Sequence, residues 1–382
     1  MANKAIESNI FRIYSSQKFL EGLFQTQLST NNLYVYIGQS IPWTDDTNPP
    51  QPNDTVESRG SLFSIMLAIK KVSPSDAILV IPNYPWTSGT VYSQYSKNGA
   101  TVGGISYDQF EPTLSIEPFY VINTSNNVYK CLGNNSGGAS SIMPTSTGTT
   151  PVTLADGYIW KFMFQVSPEN AQKFLLNADS SISGWIPIYT LQYNDGSLQW
   201  AVQDTASSTD GSGIPGGHGS DPVNELGAMY VMIDVDFNYD ESGKITTDNS
   251  YREFGLLLNP LSYDSVIPYT ALIGVGTTNI PISSVTGTFN PNDQVKGTTS
   301  LATAYIVDYN ILPGILRLTQ VSGTFVNGET ITDITSSGTA ISGTPINPDI
   351  TPNTGLILTE ENISPIKRAL AQIEDIKIII PF

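Results

Sequence analysis

Apolar and polar positions along this chain alternate more often than they recur at helical spacing, and the alternation is clearest from Tyr158 to Phe164. Tyr158, Trp160, Phe162 and Phe164 fall on one side of that run, with Ile159, Lys161 and Met163 on the other. The turn pair Asp156-Gly157 opens it, and a period of two after such a turn predicts a strand with one buried face. Four large side chains on that face bury much area and leave no catalytic group there. Val128-Tyr-Lys-Cys-Leu132 predicts a partner strand, joined to the first by a long Gly/Ser/Thr/Pro loop.

Before this pair the pattern is mixed. Phe19, Leu20, Leu23, Phe24 and Leu28 recur at helical spacing after Ser15 and Ser16, which predicts an amphipathic helix introduced by the serines. Leu33 to Ile37 reads as a buried strand closed by Gly38, and Asp45 to Asp54 as a Pro/Asn/Asp loop. Leu62, Phe63, Met66, Leu67 and Ile69 predict a second helix from about Gly60 to Lys71, followed by a buried strand from Ala77 to Ile81. From about Val91 to Asp221 short strands and polar loops take over. Ser167-Pro168-Glu169 is the clear helix start there, with Ser as N-cap and Pro at the first position. Asp204 to Asp221 is rich in Gly, Ser and Asp and reads as an exposed loop.

Strands return at Ala228–Tyr239 and Gly255–Leu258. From Ser262 to Asn353 the chain is almost free of charge and carries an internal repeat. Val285-Thr-Gly-Thr-Phe289 recurs as Val321-Ser-Gly-Thr-Phe325, Thr299-Ser300 as Thr335-Ser336, and Thr303-Ala304 as Thr339-Ala340, all at an offset of 36. Two copies are too few for a solenoid, so a small all-β module of two related units is expected. Pro365-Ile-Lys-Arg reads as a helix start. Ile373 to Ile380 is an apolar strand expected to return to the sheet of the first domain.

Composition narrows the function. At 382 residues the chain has room for two or three domains of roughly 150 residues each. Charged residues make up only 13%, so Ser, Thr, Asn, Gln and Gly must finish much of the surface. Uncharged polar groups cost less to desolvate than ions, which suits stable assemblies. The net charge of −17, with 17 basic residues thinly spread, argues against nucleic acid and anionic membranes as partners. The first residues lack an apolar leader and no run approaches 18 apolar residues, so a product soluble in the cytoplasm is expected.

Candidate chemistry is sparse. Cys131 is the only cysteine, which excludes an intramolecular disulfide and multi-Cys zinc sites, and it is expected to be a buried, inert thiol. His218 is the only histidine, and it lies in Gly216-Gly-His-Gly-Ser-Asp-Pro222, where Asp221 could orient the imidazole. A loop or interface histidine is the expected role. Gly211-Ser-Gly213-Ile-Pro-Gly216 matches the dinucleotide fingerprint, but no strand precedes it and Pro215 interrupts it. Asp234, Asp236, Asn238 and Asp240 have the spacing of part of a calcium loop, yet Tyr239 and Ile245 stand where Gly and Glu belong. The same segment reads as a strand with Ile233, Val235, Phe237 and Tyr239 buried and the acids solvated, which leaves open weak cation binding at the strand end. No pair of carboxylates is singled out for glycoside hydrolysis. No catalytic, cofactor or metal residue is therefore assigned.

Seven pieces of the chain resemble one family. They are Ser16-Gln-Lys-Phe-Leu20, Tyr34-Val-Tyr-Ile-Gly-Gln-Ser-Ile-Pro-Trp43, Ile78-Leu-Val-Ile-Pro82, Val128–Leu132, Asp156–Phe164, Tyr251-Arg-Glu-Phe-Gly-Leu256 with Asn259-Pro-Leu261, and Glu374-Asp-Ile-Lys-Ile-Ile-Ile-Pro-Phe382. In this order they resemble the homodimer-forming wedge subunits of T-even-type contractile bacteriophage baseplates. The resemblance implies a non-enzymatic virion protein without cofactors, partnered by itself and by other baseplate wedge proteins. It also implies a first domain closed by both termini. The expected fold is mainly β and multi-domain: a mixed α/β domain over 1–95, completed by 222–261 and 354–382, and a β-rich domain over 96–221. The all-β repeat module over 262–353 is inserted where the family has a shorter connection. Two other readings compete. The repeat module suits a receptor- or carbohydrate-binding tail protein, and the many acids suit a polysaccharide-degrading tail enzyme.

Overall fold

The computed structural model describes residues 9–24, 31–53, 55, 62–95, 100–102, 105–107, 118–148, 150–176, 184–188, 190–192, 198–200, 222–238, 249–310, 314–369 and 371–382. Helix α1 (Asn9–Phe24) leads into β1 (Leu33–Gly38), β2 (Met66–Lys71) and β3 (Ala77–Pro82). Short strands follow: β4 (Ala100–Val102), β5 (Ile105–Tyr107), β6 (Tyr120–Ile122), β7 (Asn127–Asn134), β8 (Val152–Thr153) and β9 (Tyr158–Gln165). Next come β10 (Trp185–Ile188), β11 (Thr190–Gln192), β12 (Leu198–Trp200), β13 (Tyr230–Asn238), β14 (Ser250–Leu258) and β15 (Ile273–Val275). The last third holds β16 (Thr278–Thr286), β17 (Gln294–Gly297), β18 (Thr303–Asn310), β19 (Ile315–Ser322), β20 (Thr330–Asp333), β21 (Thr339–Ser342), β22 (Leu356–Lys367) and β23 (Ile373–Pro381). The fold is mainly β and multi-domain, as the alternation predicts.

The chain divides into two compact units, one made of Met1–Ser29, Pro74–Asp234 and Lys377–Phe382, the other of Thr30–Ser73 and Val235–Ile376. In the first, β6, β7, β9 and β8 form an antiparallel sheet. Its core gathers Tyr92, Val121, Tyr129, Cys131, Tyr158, Trp160 and Phe162. Tyr158 stacks on Trp160 with ring centres 5.5 Å apart, and Tyr92 meets Trp160 edge-on at 5.5 Å. The predicted face is buried, but Met163 on the opposite side is buried as well. β7 and β9 pair with two register shifts, which break strict alternation. A second sheet, in the order β10-β3-β13-β23, takes in the C-terminal strand beside β13.

In the other unit five strands pair in the order β15-β2-β1-β14-β22. Beyond them β16, β19, β18, β17, β20 and β21 close into a barrel. The 36-residue offset carries Gln294–Gly297 onto Thr330–Asp333, that is β17 onto β20. The same shift relates β16 to β19 and β18 to β21, and exchanging the two triplets maps the set of neighbouring strand pairs of the barrel onto itself. The sequence repeat is thus a pseudo-two-fold axis in space. Gly287 and Gly323 occupy equivalent turns with φ of +76° and +84°, a conformation that costs glycine nothing. The next equivalent pair, Phe289 and Phe325, are both buried in the barrel core.

Four expectations need correction. Residues Met66 to Lys71 are a strand, not the end of a helix, because β2 pairs with β1 on one side and β15 on the other. Met66 to Ile69 are all buried, and a continuous apolar run cannot by its period be told from a helix. Helix α1 starts at Asn9, before the serines. Ser16 is buried within it, sharing its hydroxyl proton between the carbonyls of Ile13 at 2.8 Å and Ala228 at 2.7 Å. Pro365 starts no helix: it sits inside β22, where a register shift opposite Tyr251/Glu253 accommodates its missing N–H on an outermost strand. Asp234 is buried rather than solvated. The start at Ser167 is as predicted, with its side chain accepting from the Asn170 N–H at 3.2 Å.

Candidate functional site

The residues with chemistry in their side chains are mostly tied into the fold. Asp156 closes the turn before β9: one carboxylate oxygen accepts from the Ser141 and Ile142 N–H groups at 2.9 and 3.0 Å, the other from the Tyr158 N–H at 3.2 Å. Partial burial opposes ionisation, but these bonds outweigh it and hold the carboxyl below the usual carboxylate range. Cys131 is fully buried among aromatic rings and donates to the Gly133 carbonyl at 3.5 Å. Burial pushes its thiol up to about 12, so almost no reactive thiolate exists at neutral pH. A thiol-reactive dye at pH 7.5 is expected to leave the native chain unlabelled and to modify it in denaturant, whereas prompt native labelling would contradict this burial.

Two of the alternating acids, Asp234 and Asp236, lie on β13. Asp234 pairs with Lys377 on β23 at 2.7 Å, and the same ammonium donates to the Lys173 carbonyl at 3.0 Å. Asp236 is exposed. Asp240, His218 and the glycines 211–216 lie outside the described residues. Among the described residues, the buried ionisable groups that escaped the sequence reading include Arg368 and Glu253. Arg368 is fully buried and bonds Glu374 at 2.9 Å. Glu253 sits on β14 in one row with Tyr251 and Leu257, an acid among apolar neighbours, and that row was the available signal.

Among the described residues, the outward surface carries ordered loops and apolar area. Loop 262–272 carries Tyr263, Val266, Ile267 and Leu272 outward, with Val266 89% exposed. It is nonetheless ordered: Ser262 donates to Ile267 at 2.9 Å, and Tyr263 to Asp349 at 3.0 Å, both through backbone N–H groups. Ile10, Phe11 and Tyr14 form an exposed apolar face at the start of α1. The outer strand β22 exposes Leu356, Leu358 and Ile366. Its edge is blunted by two register shifts and by loop 39–53, from which the Trp43 indole donates to the Ile363 carbonyl at 3.4 Å while Asn362 donates to the Pro50 carbonyl at 2.9 Å. Arg252 fixes that loop through a fork on Asp46, both bonds 2.8 Å. Such features keep edges from pairing indiscriminately. Among the described residues, no helix is long and apolar enough to cross a membrane.

Sheets closed on buried aromatic cores, a six-stranded barrel and exposed apolar residues in ordered loops define a mainly-β, multi-domain protein. No protein-family model matches the chain. It is similar to the baseplate wedge protein gp8 of Enterobacteria phage T4, with 24% identity over 170 residues, 36% of this chain and 49% of that protein. The match spans about half the length of that relative.

Proposed function

We propose that this chain is a structural component of a contractile phage tail baseplate, a wedge subunit that holds neighbouring wedge proteins together through a homodimeric interface and heteromeric ones. The observation that carries the reading is the likeness to a baseplate wedge protein. The mainly-β fold, the 13% of charged residues and the ordered apolar tips support it. In this role the chain works by interface burial without catalysis or cofactor, is assembled in the host cytoplasm, and ends in the virion. Light scattering at micromolar concentrations is expected to give the mass of two 41.3 kDa chains, and mass spectrometry of purified tails to find the chain in the baseplate fraction. A monomer would sink the dimer, and absence from the baseplate fraction would sink the whole reading.

The segment 262–353 is, in this proposal, a module inserted into a domain that both ends of the chain complete. Its entry and exit are paired: Asn279 and Ile346 exchange backbone bonds of 2.9 and 2.7 Å, and Asp349 donates to the Val275 carbonyl at 2.8 Å. Within this segment the barrel beyond that neck is the removable part, because β15 before it pairs with β2 in the five-stranded sheet.

A further inference from the structure

Glu253 is a carboxylic acid placed where a sheet ordinarily holds an apolar side chain. It lies on β14, opposite Gly38 of β1 on one side and Asn362 of β22 on the other, and only 2% of it is exposed. The hydroxyl of Tyr36, itself fully buried, donates to its carboxyl at 3.1 Å. That bond depends on Gly255, which pairs with Tyr36 across the strands. A Cβ at Gly255 would come within 2.8 Å of the Tyr36 hydroxyl and 2.2 Å of the Thr359 carbonyl, so the missing side chain is what lets the phenol lie across β14 to Glu253. On the other side Gly255 pairs with Glu360 of β22, which puts this half-buried acid on the face that carries Glu253.

Two cations of the same sheet have bonds of their own. Arg252, the next residue along β14, binds Asp46 and the Ser40 carbonyl. Lys70 of β2 donates to the Asp236 carbonyl, and Lys71 lies opposite Tyr34. Asp45 of loop 39–53 is turned to Thr47. Burial is the main cause that pushes the Glu253 carboxyl up, to about 8; the negative charge of Glu360 adds to it and the Tyr36 hydrogen bond opposes it. Tyr36 is itself pushed well above the usual range for a phenol by burial and by Glu253.

We propose that Tyr36, Glu253 and Glu360 form a proton-controlled latch that holds the outer strand β22 on the sheet. With its proton, Glu253 is a neutral acid that the interior accepts. Without it, a charge stands in the sheet beside Glu360, across the ladder that joins β14 to β22. The sign follows from the direction of the shift. The folded state binds this proton more tightly than the unfolded chain, so the stabilisation is complete below about 4.5 and is lost as pH rises to about 8 and beyond. The latch stands whether or not the chain belongs to a baseplate.

Hydrogen exchange of the full chain between pH 6 and 9, corrected for intrinsic rates, tests it. Protection of 356–367 relative to the barrel strands is expected to fall about tenfold per pH unit while Glu253 holds its proton in the folded state but not in the opened one, and to level off once the folded group loses it, at about pH 8. Glu253→Gln should abolish that fall, and Glu360→Gln should make it level off at lower pH, because the Glu360 charge helps to raise the Glu253 carboxyl. A wild-type profile without the fall, or the same fall in Glu253→Gln, overturns the latch. Should Glu253→Gln not fold, the half-buried site makes Glu360→Gln the deciding variant, and an unmoved levelling point there overturns it.

Discussion

Replacing Arg368 by Met is expected to cost this chain on the order of 3–5 kcal/mol, the range for removing one member of a buried ion pair. Arg368 has no exposed surface and Glu374 only 5%. Its Nε donates to Glu374 at 2.9 Å and one terminal nitrogen donates to the Asn238 carbonyl at 2.6 Å. Its own N–H donates to the Asn249 carbonyl at 2.8 Å. The guanidinium thus joins the ends of β13, β22 and β23. Removing it takes the cation from the buried Glu374 carboxylate and leaves the Asn238 carbonyl with one bond fewer. Tyr251 feels the same pair: burial raises its phenol, the Glu374 charge raises it further, and Arg368 opposes that effect. Urea denaturation of Arg368→Met, Glu374→Met and the double variant provides the check. The double variant should recover much of the loss, because two apolar side chains together replace a desolvated pair at little net cost. If Arg368→Met lost less than about 1 kcal/mol, the range of an exposed pair, the buried pair would not hold these strands.

What the sequence disclosed and what it withheld divide along physical lines. The strand from Tyr158 was legible because one face of β9 is buried and the turn at Asp156 is built locally from its own carboxylate. The barrel was legible as a repeat, since two copies of one three-strand pattern must keep the same glycine turns and core phenylalanines to close on each other. β2 was not legible, because both of its faces are buried and the period-two signal vanishes there. Asp234 looked solvated because its partner Lys377 lies 143 positions away. Glu253 was missed for the same reason, its hydroxyl partner being 217 residues upstream. Long-range pairing of polar groups leaves at most an acid standing in an apolar row, which shows the site but not its partner. Surfaces such as loop 262–272 are harder still, since alternation says which face is covered but not by what.

The pseudo-two-fold of the barrel yields a prediction of similar size with an internal control. Phe289→Ala and Phe325→Ala each remove a buried ring from one core, and truncations of this kind cost about 3–5 kcal/mol. Their backbones are equivalent, each two residues after a glycine in the left-handed region, so the two losses should be of the same order. They should not be equal. Phe289 meets the ring of Tyr309 edge-on at 5.8 Å, while the position equivalent to Tyr309 in the second copy is Pro345. An aromatic pair adds about 0.5–1.5 kcal/mol beyond area, so Phe289→Ala should be the more damaging by that margin. Tyr309→Leu should erase the difference, since it removes the ring contact and leaves an apolar side chain in place. Hydrogen exchange and limited proteolysis of 278–342 in the full chain read both losses within the module itself. A large loss at one phenylalanine with almost none at the other would mean that the two halves do not share one core, and that the repeat is a likeness of sequence without a common packing role.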